Sequence, residues 1–490
     1  MMKLCCIGHS FHYETEKLCR LFLPFEKIEV VDTIGSGDRL AVTRQEGADI
    51  YASLTIGNSF CEKSARLSEG FDEREAEREI AALLFLCFTE ITGYAPKWGI
   101  VTGIRPARLY SAVSRELGSE NAAKEFFKEK FLVSEEKISL CEETHKGEGE
   151  IIKLSRNDSF SLYISIPFCP TRCSYCSFVS HAVEKAEKLI PEYVEYLCRE
   201  IEITAKIAKE NGLKLTTVYI GGGTPTTLSA NQLCTVIDLI KESFDFSCVR
   251  EFTVEAGRPD TITREKLLAL KNCSVQRISI NPQTLNDEVL GIIGRAHTAQ
   301  QTIDAFNLAR EIGFDNINMD LIAGLPGDTF ESFKNTVEKI LELDPESVTV
   351  HSLSMKRSSR MNVSGAFPEI EVGRVADEMV SFARDILTQN GIAPYYMYRQ
   401  SKTVGNLENV GYAKKGKECL YNVYIMDETH TILACGASAV TKMREPGGDY
   451  IERIFNFKYP YEYINRFDEL IERKKGIGAF YNKYPINRLP

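Results

Sequence analysis

Apolar and polar positions along the chain follow three successive rhythms. Over residues 1 to about 65 the apolar runs are short and strand-like, as in Lys27-Ile28-Glu29-Val30-Val31 and Ile50 to Ile56, with Gly and Asp turns between them. This pattern predicts a small antiparallel sheet. Helical periodicity then takes over from Arg74 to Thr92. Two or three further helices are expected between Pro106 and Lys146, the first opened by Pro106 at an N1-like position after Arg105. The polar, glycine-containing stretch Lys146-Gly147-Glu148-Gly149-Glu150 reads as a linker.

Beyond it, apolar strands alternate with helices. Strands are expected at Tyr163–Ile166, Thr217–Ile220, Glu251–Glu255, Gln276–Ile280, Asn316–Ile322 and Ser347–Leu353. Helices are expected at about Glu184–Lys209, Ala230–Lys241, Thr263–Lys271, between Asp287 and Ile312, and at Phe330–Leu343. Alternation of this kind implies parallel βαβ units, and six of them fit a partial (β/α)6 barrel better than a full eight-stranded one. Near Met355 the rhythm changes again. A helix over Glu371–Thr388, short strands at Tyr395–Tyr398, Asn422–Met426 and Thr431–Ala434, and a basic, aromatic tail from Tyr450 make a C-terminal α+β region suited to covering a barrel mouth. The expected organisation is an α/β chain with an N-terminal α+β domain over 1–150, the barrel over 151–355 and the C-terminal region over 356–490.

With 490 residues, 43% hydrophobic and 26% charged, the chain has the composition of a globular protein. Its 59 basic and 69 acidic side chains leave a net charge of -10, which argues against a nucleic-acid partner, since a phosphate-backbone binder needs a basic face. The first residues become polar too soon for a signal peptide. No apolar run reaches the roughly eighteen residues of a membrane span, so a cytoplasmic protein is expected. Of fifteen cysteines, most sit singly in apolar patterns, such as Cys87, Cys198 and Cys234, where a thiol behaves as a small hydrophobe. Cys169, Cys173 and Cys176 form the one dense group.

These three follow the first barrel strand, in Ile166-Pro167-Phe168-Cys169-Pro170-Thr171-Arg172-Cys173-Ser174-Tyr175-Cys176. Loops at the C-terminal ends of parallel barrel strands build the catalytic face. Three thiolates hold three irons of a four-iron cubane and leave the fourth open, whereas an electron-transfer cluster normally takes four cysteines. Zinc is the alternative, with His181 completing a Cys3His tetrahedron. After the second strand comes Gly221-Gly222-Gly223-Thr224-Pro225-Thr226, either a tight βα turn or a backbone cradle for a ligand. Glu255, Gln283, Arg295 and Asp320 then appear at or near successive strand ends. Charges there are costly unless paired, so these residues either brace one another or face a ligand.

The Cys-x3-Cys-x2-Cys spacing, with an aromatic before the last cysteine, resembles the radical S-adenosylmethionine (SAM) superfamily. Tyr-x-x-Ile-Pro-Phe-Cys followed by Gly-Gly-Gly-Thr-Pro-Thr is similar to the oxygen-independent coproporphyrinogen III oxidase family, and the resemblance runs from Leu162 to about Val440. The segment from Trp98 to Pro106 resembles the HemZ-type coproporphyrinogen dehydrogenase branch. The resemblance implies a [4Fe-4S] cluster on Cys169, Cys173 and Cys176, and SAM against Tyr163, Gly222, Gly223, Thr224, Glu255, Gln283, Arg295, Asp320 and Ser354, with Tyr175 near its adenine. It implies reductive cleavage of SAM to a 5′-deoxyadenosyl radical, fed by an electron donor such as flavodoxin or ferredoxin. Two propionates of coproporphyrinogen III then become the vinyl groups of protoporphyrinogen IX.

Two positions depart from the oxidase pattern: Ser165 stands where the family has histidine, and Phe178 where it commonly has a further cysteine. Relatives that do not decarboxylate share both losses, and a related branch of haem chaperones on the same scaffold gives the alternative function. The chaperone motif His-Asn-x-x-Tyr-Trp would fall on Tyr421 to Met426, where Asn422 alone is retained. Arg105, Arg108, Lys356, Arg357, Arg360 and Arg399 are candidate hosts for substrate carboxylates or ordinary surface charges. His297, His351 and His430 are candidate proton handlers or structural histidines. The sequence assigns no catalytic side chain.

Overall fold

The computed structural model describes residues 1–34, 37–176, 181–354, 368–400 and 402–486. The chain divides into two compact units. One comprises Met1–His145, Ser352–Ser381 and Met397–Asn409, and the other Lys146–His351, Phe382–Tyr396 and Val410–Pro490.

In the first unit a five-stranded sheet packs against the helices His12–Phe22 and Glu73–Thr92. The sheet is mixed rather than antiparallel: Met2–Ile7 pairs in parallel with both Ile28–Val31 and Arg39–Glu46. The unforeseen helix His12–Phe22 supplies the crossover that parallel pairing requires. Asp72 caps the second helix by accepting from the Glu75 N–H. The helices Pro106–Leu117 and Glu120–Glu129 follow.

Helix Glu135–Ile152 runs straight through the expected linker. Gly147 is there for closeness: a Cβ at this position would lie 2.8 Å from the Pro394 carbonyl oxygen. The helix therefore approaches neighbouring backbone where a larger residue would push it away.

The second unit is built on an eleven-stranded sheet. Its centre is the six-strand set of the partial (β/α)6 barrel, Ser159–Ile166, Lys214–Gly222, Glu251–Gly257, Arg277–Gln283, Ile317–Ala323 and Ser347–Ser352, arranged side by side in chain order. The first five pair in parallel. Helices Ile190–Glu210, Ala230–Ser243, Arg264–Asn272, Ala299–Ile312 and Phe330–Glu342 intervene, and their buried residues are mainly apolar at helical spacing, with Glu200, Thr204 and Thr336 among the buried polar ones.

The later strands extend this sheet. Thr431–Cys435 pairs in parallel with the first barrel strand and continues through Val440–Arg444 and Ile451–Phe455. At the other edge, Glu408–Ala413 pairs antiparallel with Ser347–Ser352. The expected strand Asn422–Met426 is instead part of helix Leu420–Asp427. The Glu251 carboxylate accepts from the Leu420 and Tyr421 N–H groups, satisfying donors that a helix start leaves open.

Candidate functional site

The cysteine loop leaves the first barrel strand and is held by its neighbours at several points. Gly223 N–H donates to the Ile166 carbonyl at 2.8 Å and Thr224 N–H to the Phe168 carbonyl at 2.7 Å, so the glycine run lies flush along the loop. A Cβ on Gly223 would sit 2.5 Å from the Phe168 oxygen, which makes glycine a packing requirement here. The Thr224 hydroxyl reaches the Cys169 sulfur at 3.5 Å. From the far side, Ser174 N–H donates to the Ile293 carbonyl at 3.1 Å and the Thr171 hydroxyl to the Gly294 carbonyl at 2.9 Å. The loop is thus clamped between the turn after the second strand and the segment that carries Arg295.

Cys173 is buried, while Cys169 and Cys176 are half-buried, and none of the three is in a disulfide. Among the described residues, no three His, Cys, Asp or Glu side chains gather closely enough to hold a single metal ion. His181, the candidate fourth zinc ligand, packs edge-on against Tyr459 and Tyr461. Phe178 lies outside the described residues.

The polar strand ends do not brace one another. Arg295 gives Nε and Nη2 to the Tyr175 hydroxyl at 3.1 and 3.0 Å and Nη1 to the Asn281 carbonyl at 2.6 Å. Glu255 accepts from the Tyr219 hydroxyl at 2.6 Å and Asp320 from the Asn318 amide at 2.7 Å. Burial raises the Glu255 carboxyl to about 7, Asp320 adds to the rise, and the Tyr219 bond opposes it. Gln283 closes its strand at φ 70, beside a register shift, in a left-handed conformation that a non-glycine residue holds only under local constraint. Tyr163 stacks on Tyr219 and Tyr421, with ring centroids 6.3 and 6.0 Å away. Burial holds the phenol of Tyr163 above its ordinary range.

The remaining sequence candidates separate clearly. Ser354 belongs to the first unit, where it forms an isolated antiparallel bridge with Thr403. Ser165 is buried, donating to the Ala437 carbonyl at 2.7 Å, while its own carbonyl accepts from the Tyr193 hydroxyl at 2.8 Å. Arg399 is no carboxylate host. It is buried in the first unit and bonded to the Val101 and Asn406 carbonyls. Arg105 and Arg108 line a cavity of about 350 Å3 with Val101, Ile104 and Leu109. Lys356, Arg357 and Arg360 fall outside the described residues.

His430 stacks on Tyr424 at 3.6 Å, and burial depresses its pKa to about 3. His297 is buried, and its pKa falls to about 4 through burial and the nearby Arg295. Two of the three candidates near carboxylates: His351 Nε2 lies 4.0 Å from Asp320 and His297 Nδ1 3.9 Å from Asp260.

Sequence reasoning missed two residues of this site. Tyr421 comes from a helix distant in sequence. Arg258 is buried and bonded to the cysteine loop, and the only sequence signal for it is its position just past Glu255.

Residues 163–340 match the Radical SAM superfamily. A Bacillus subtilis protein named oxygen-independent coproporphyrinogen-III oxidase-like protein HemZ is 38% identical over 461 residues, covering 89% of this chain and 91% of the relative. The chain belongs to the radical SAM superfamily, in its coproporphyrinogen III oxidase-like family. The heme chaperone HemW of Bacillus subtilis is 33% identical over 339 residues, 65% of this chain and 82% of that protein. The solved structure of coproporphyrinogen III oxidase HemN from Escherichia coli, titled a radical SAM enzyme, is 23% identical with a TM-score of 0.49, covering 66% of this chain and 72% of that one.

Radical SAM membership brings a [4Fe-4S] cluster and S-adenosylmethionine as cofactors. The residues suit them: a loop with three thiols outside any disulfide, one buried and two half-buried, beside a backbone turn and a set of polar groups that do not neutralise one another. Among the described residues, no helix is long and apolar enough to cross a membrane.

Proposed function

We propose that this chain is a radical SAM oxidoreductase that converts two propionates of coproporphyrinogen III to vinyl groups, yielding protoporphyrinogen IX in porphyrin and haem synthesis. The observation that carries the reading is the 38% identity to the HemZ oxidase-like protein, sustained over 91% of that relative. Cys169, Cys173 and Cys176 ligate the cluster, each through its thiolate.

Gly222 and Gly223 offer backbone C=O groups to the amino acid end of SAM, Thr224 holds the turn against the cysteine loop through its N–H bond to Phe168, and the carboxyls of Glu255 and Asp320 accept from the hydroxyl and ammonium donors of SAM. Arg295 fixes the Tyr175 ring through its paired bonds to the hydroxyl, giving the adenine a positioned aromatic neighbour. Gln283 presents its amide from a constrained strand end, and Tyr163 walls the barrel interior. Bound together, cluster and SAM supply one-electron radical chemistry; the side chains orient the reactants and exclude water. A low-potential donor such as flavodoxin or ferredoxin supplies the electron.

A second reading, a haem-binding chaperone on the same scaffold, is supported by the 33% identity to heme chaperone HemW. Anaerobic incubation with dithionite, SAM and coproporphyrinogen III separates the two. The oxidase reading expects protoporphyrinogen IX, carbon dioxide and methionine. SAM cleavage with untouched porphyrinogen and stoichiometric haem binding overturns it in favour of the chaperone.

A further inference from the structure

Arg258 follows the third barrel strand and is 3% exposed. Its guanidinium is fully engaged. Nε and Nη2 form a two-pronged pair with Asp260, each at 3.1 Å, and Nη1 donates to the Thr171 hydroxyl at 2.7 Å and the Thr171 carbonyl at 3.2 Å. The same Nη1 lies 4.0 Å from the sulfur of Cys173, the buried member of the three cysteines. The paired contact with Asp260 fixes the guanidinium plane, so one N–H edge stays aimed at the cysteine loop.

We propose that Arg258 is a positioning residue for the cluster. It holds the Thr171–Cys173 segment and places a fixed positive charge beside one ligand sulfur, raising the cluster's reduction potential, while Asp260 sets how much of that charge the sulfur feels. This rests on the assignment of Cys173 as a cluster ligand. Charge and hydrogen bonding at ligand sulfurs are established levers on iron-sulfur potentials. In a buried setting a charge 4.0 Å away is only weakly screened. Reduction adds an electron to the cluster, so a neighbouring cation favours the reduced form and a neighbouring anion opposes it. Arg258 and Asp260 should therefore act with opposite sign.

The test is a redox titration of the reconstituted cluster, followed by electron paramagnetic resonance, in the parent, Arg258→Gln, Arg258→Lys and Asp260→Asn. Loss of the charge in Arg258→Gln should lower the ratio of reduced to oxidised cluster about tenfold at a fixed ambient potential, a shift of about 59 mV for one electron. Arg258→Lys should recover most of that ratio, and Asp260→Asn should raise it. A purely structural role does not produce opposite signs in the two removals. An Arg258→Gln protein with full iron content and the parent's potential overturns the proposal. If that variant loses its iron, Asp260→Asn decides alone: a raised potential supports the proposal, and an unchanged or lowered one overturns it. A parent protein that binds no cluster instead defeats the ligand assignment beneath the proposal.

Discussion

The hydroxyl of Thr224 lies 3.5 Å from the sulfur of Cys169, joining two loops whose residues are 55 positions apart in sequence. The contact depends on the glycine run lying against the cysteine loop, since the backbone bonds from Gly223 and Thr224 set the spacing of the two segments. The glycine-rich turn is thus part of the cysteine loop's support as well as a candidate cofactor cradle.

Gly223→Ala should therefore disrupt the loop. The added methyl group meets backbone oxygen at 2.5 and 2.8 Å, and neither atom belongs to a flexible side chain. Iron and sulfide content after reconstitution should fall several-fold, whereas Gly291→Ala, whose Cβ meets nothing within 4 Å, should match the parent. Equal iron in both variants would contradict this account of the turn.

Asp320→Ala should leave cluster content intact and weaken SAM binding at least tenfold, about 1.4 kcal/mol, measured by calorimetric titration. Asp320 accepts one bond, from Asn318, and pairs with neither Arg295 nor any lysine among the described residues, so its loss should not unfold the barrel. Unaltered affinity would remove Asp320 from the SAM site.

Glu255 gives the site a pH signature. Its carboxyl lies at about 7 in the folded chain against an ordinary 4.5, so the folded state binds the extra proton between those values. Stability then falls as pH rises from about 4.5 to 7, because deprotonation is easier in the unfolded chain. Thermal melts of Glu255→Gln across that range should show a flatter dependence than the parent, and equal slopes would contradict the assignment.

In the first unit, buried Glu408 accepts from the Trp98 indole at 2.6 Å and from Lys137 Nζ at 2.7 Å. Lys137 is itself 1% exposed. Lys137→Met should cost about 3–5 kcal/mol, because it strands a buried carboxylate. Denaturant unfolding measures the loss, and a cost below about 1 kcal/mol would show that the pair is not the anchor of the Trp98 segment.

The barrel strands were readable because each is a short apolar run bounded by turn residues, and the cysteine loop because three thiols stand among prolines and polar residues. What escaped was non-local. Alternation marks Met2–Ile7 as strand-like without revealing that both its partners run parallel. The glycines at 147 and 149 look like a linker until Pro394 arrives against the first of them. Tyr421 lies on a helix whose start is set by Glu251, 170 residues earlier. Arg258 gains its meaning from Thr171, 87 residues away, a relationship that no local pattern encodes.

The most direct measurement is electron paramagnetic resonance of the anaerobically reconstituted, dithionite-reduced protein with and without SAM, in the parent and in Cys173→Ala. The expected result is about four irons per chain in the parent, a reduced [4Fe-4S] signal that changes when SAM is added, and loss of that signal in Cys173→Ala. A colourless parent protein holding zinc, with no response to SAM, would contradict it.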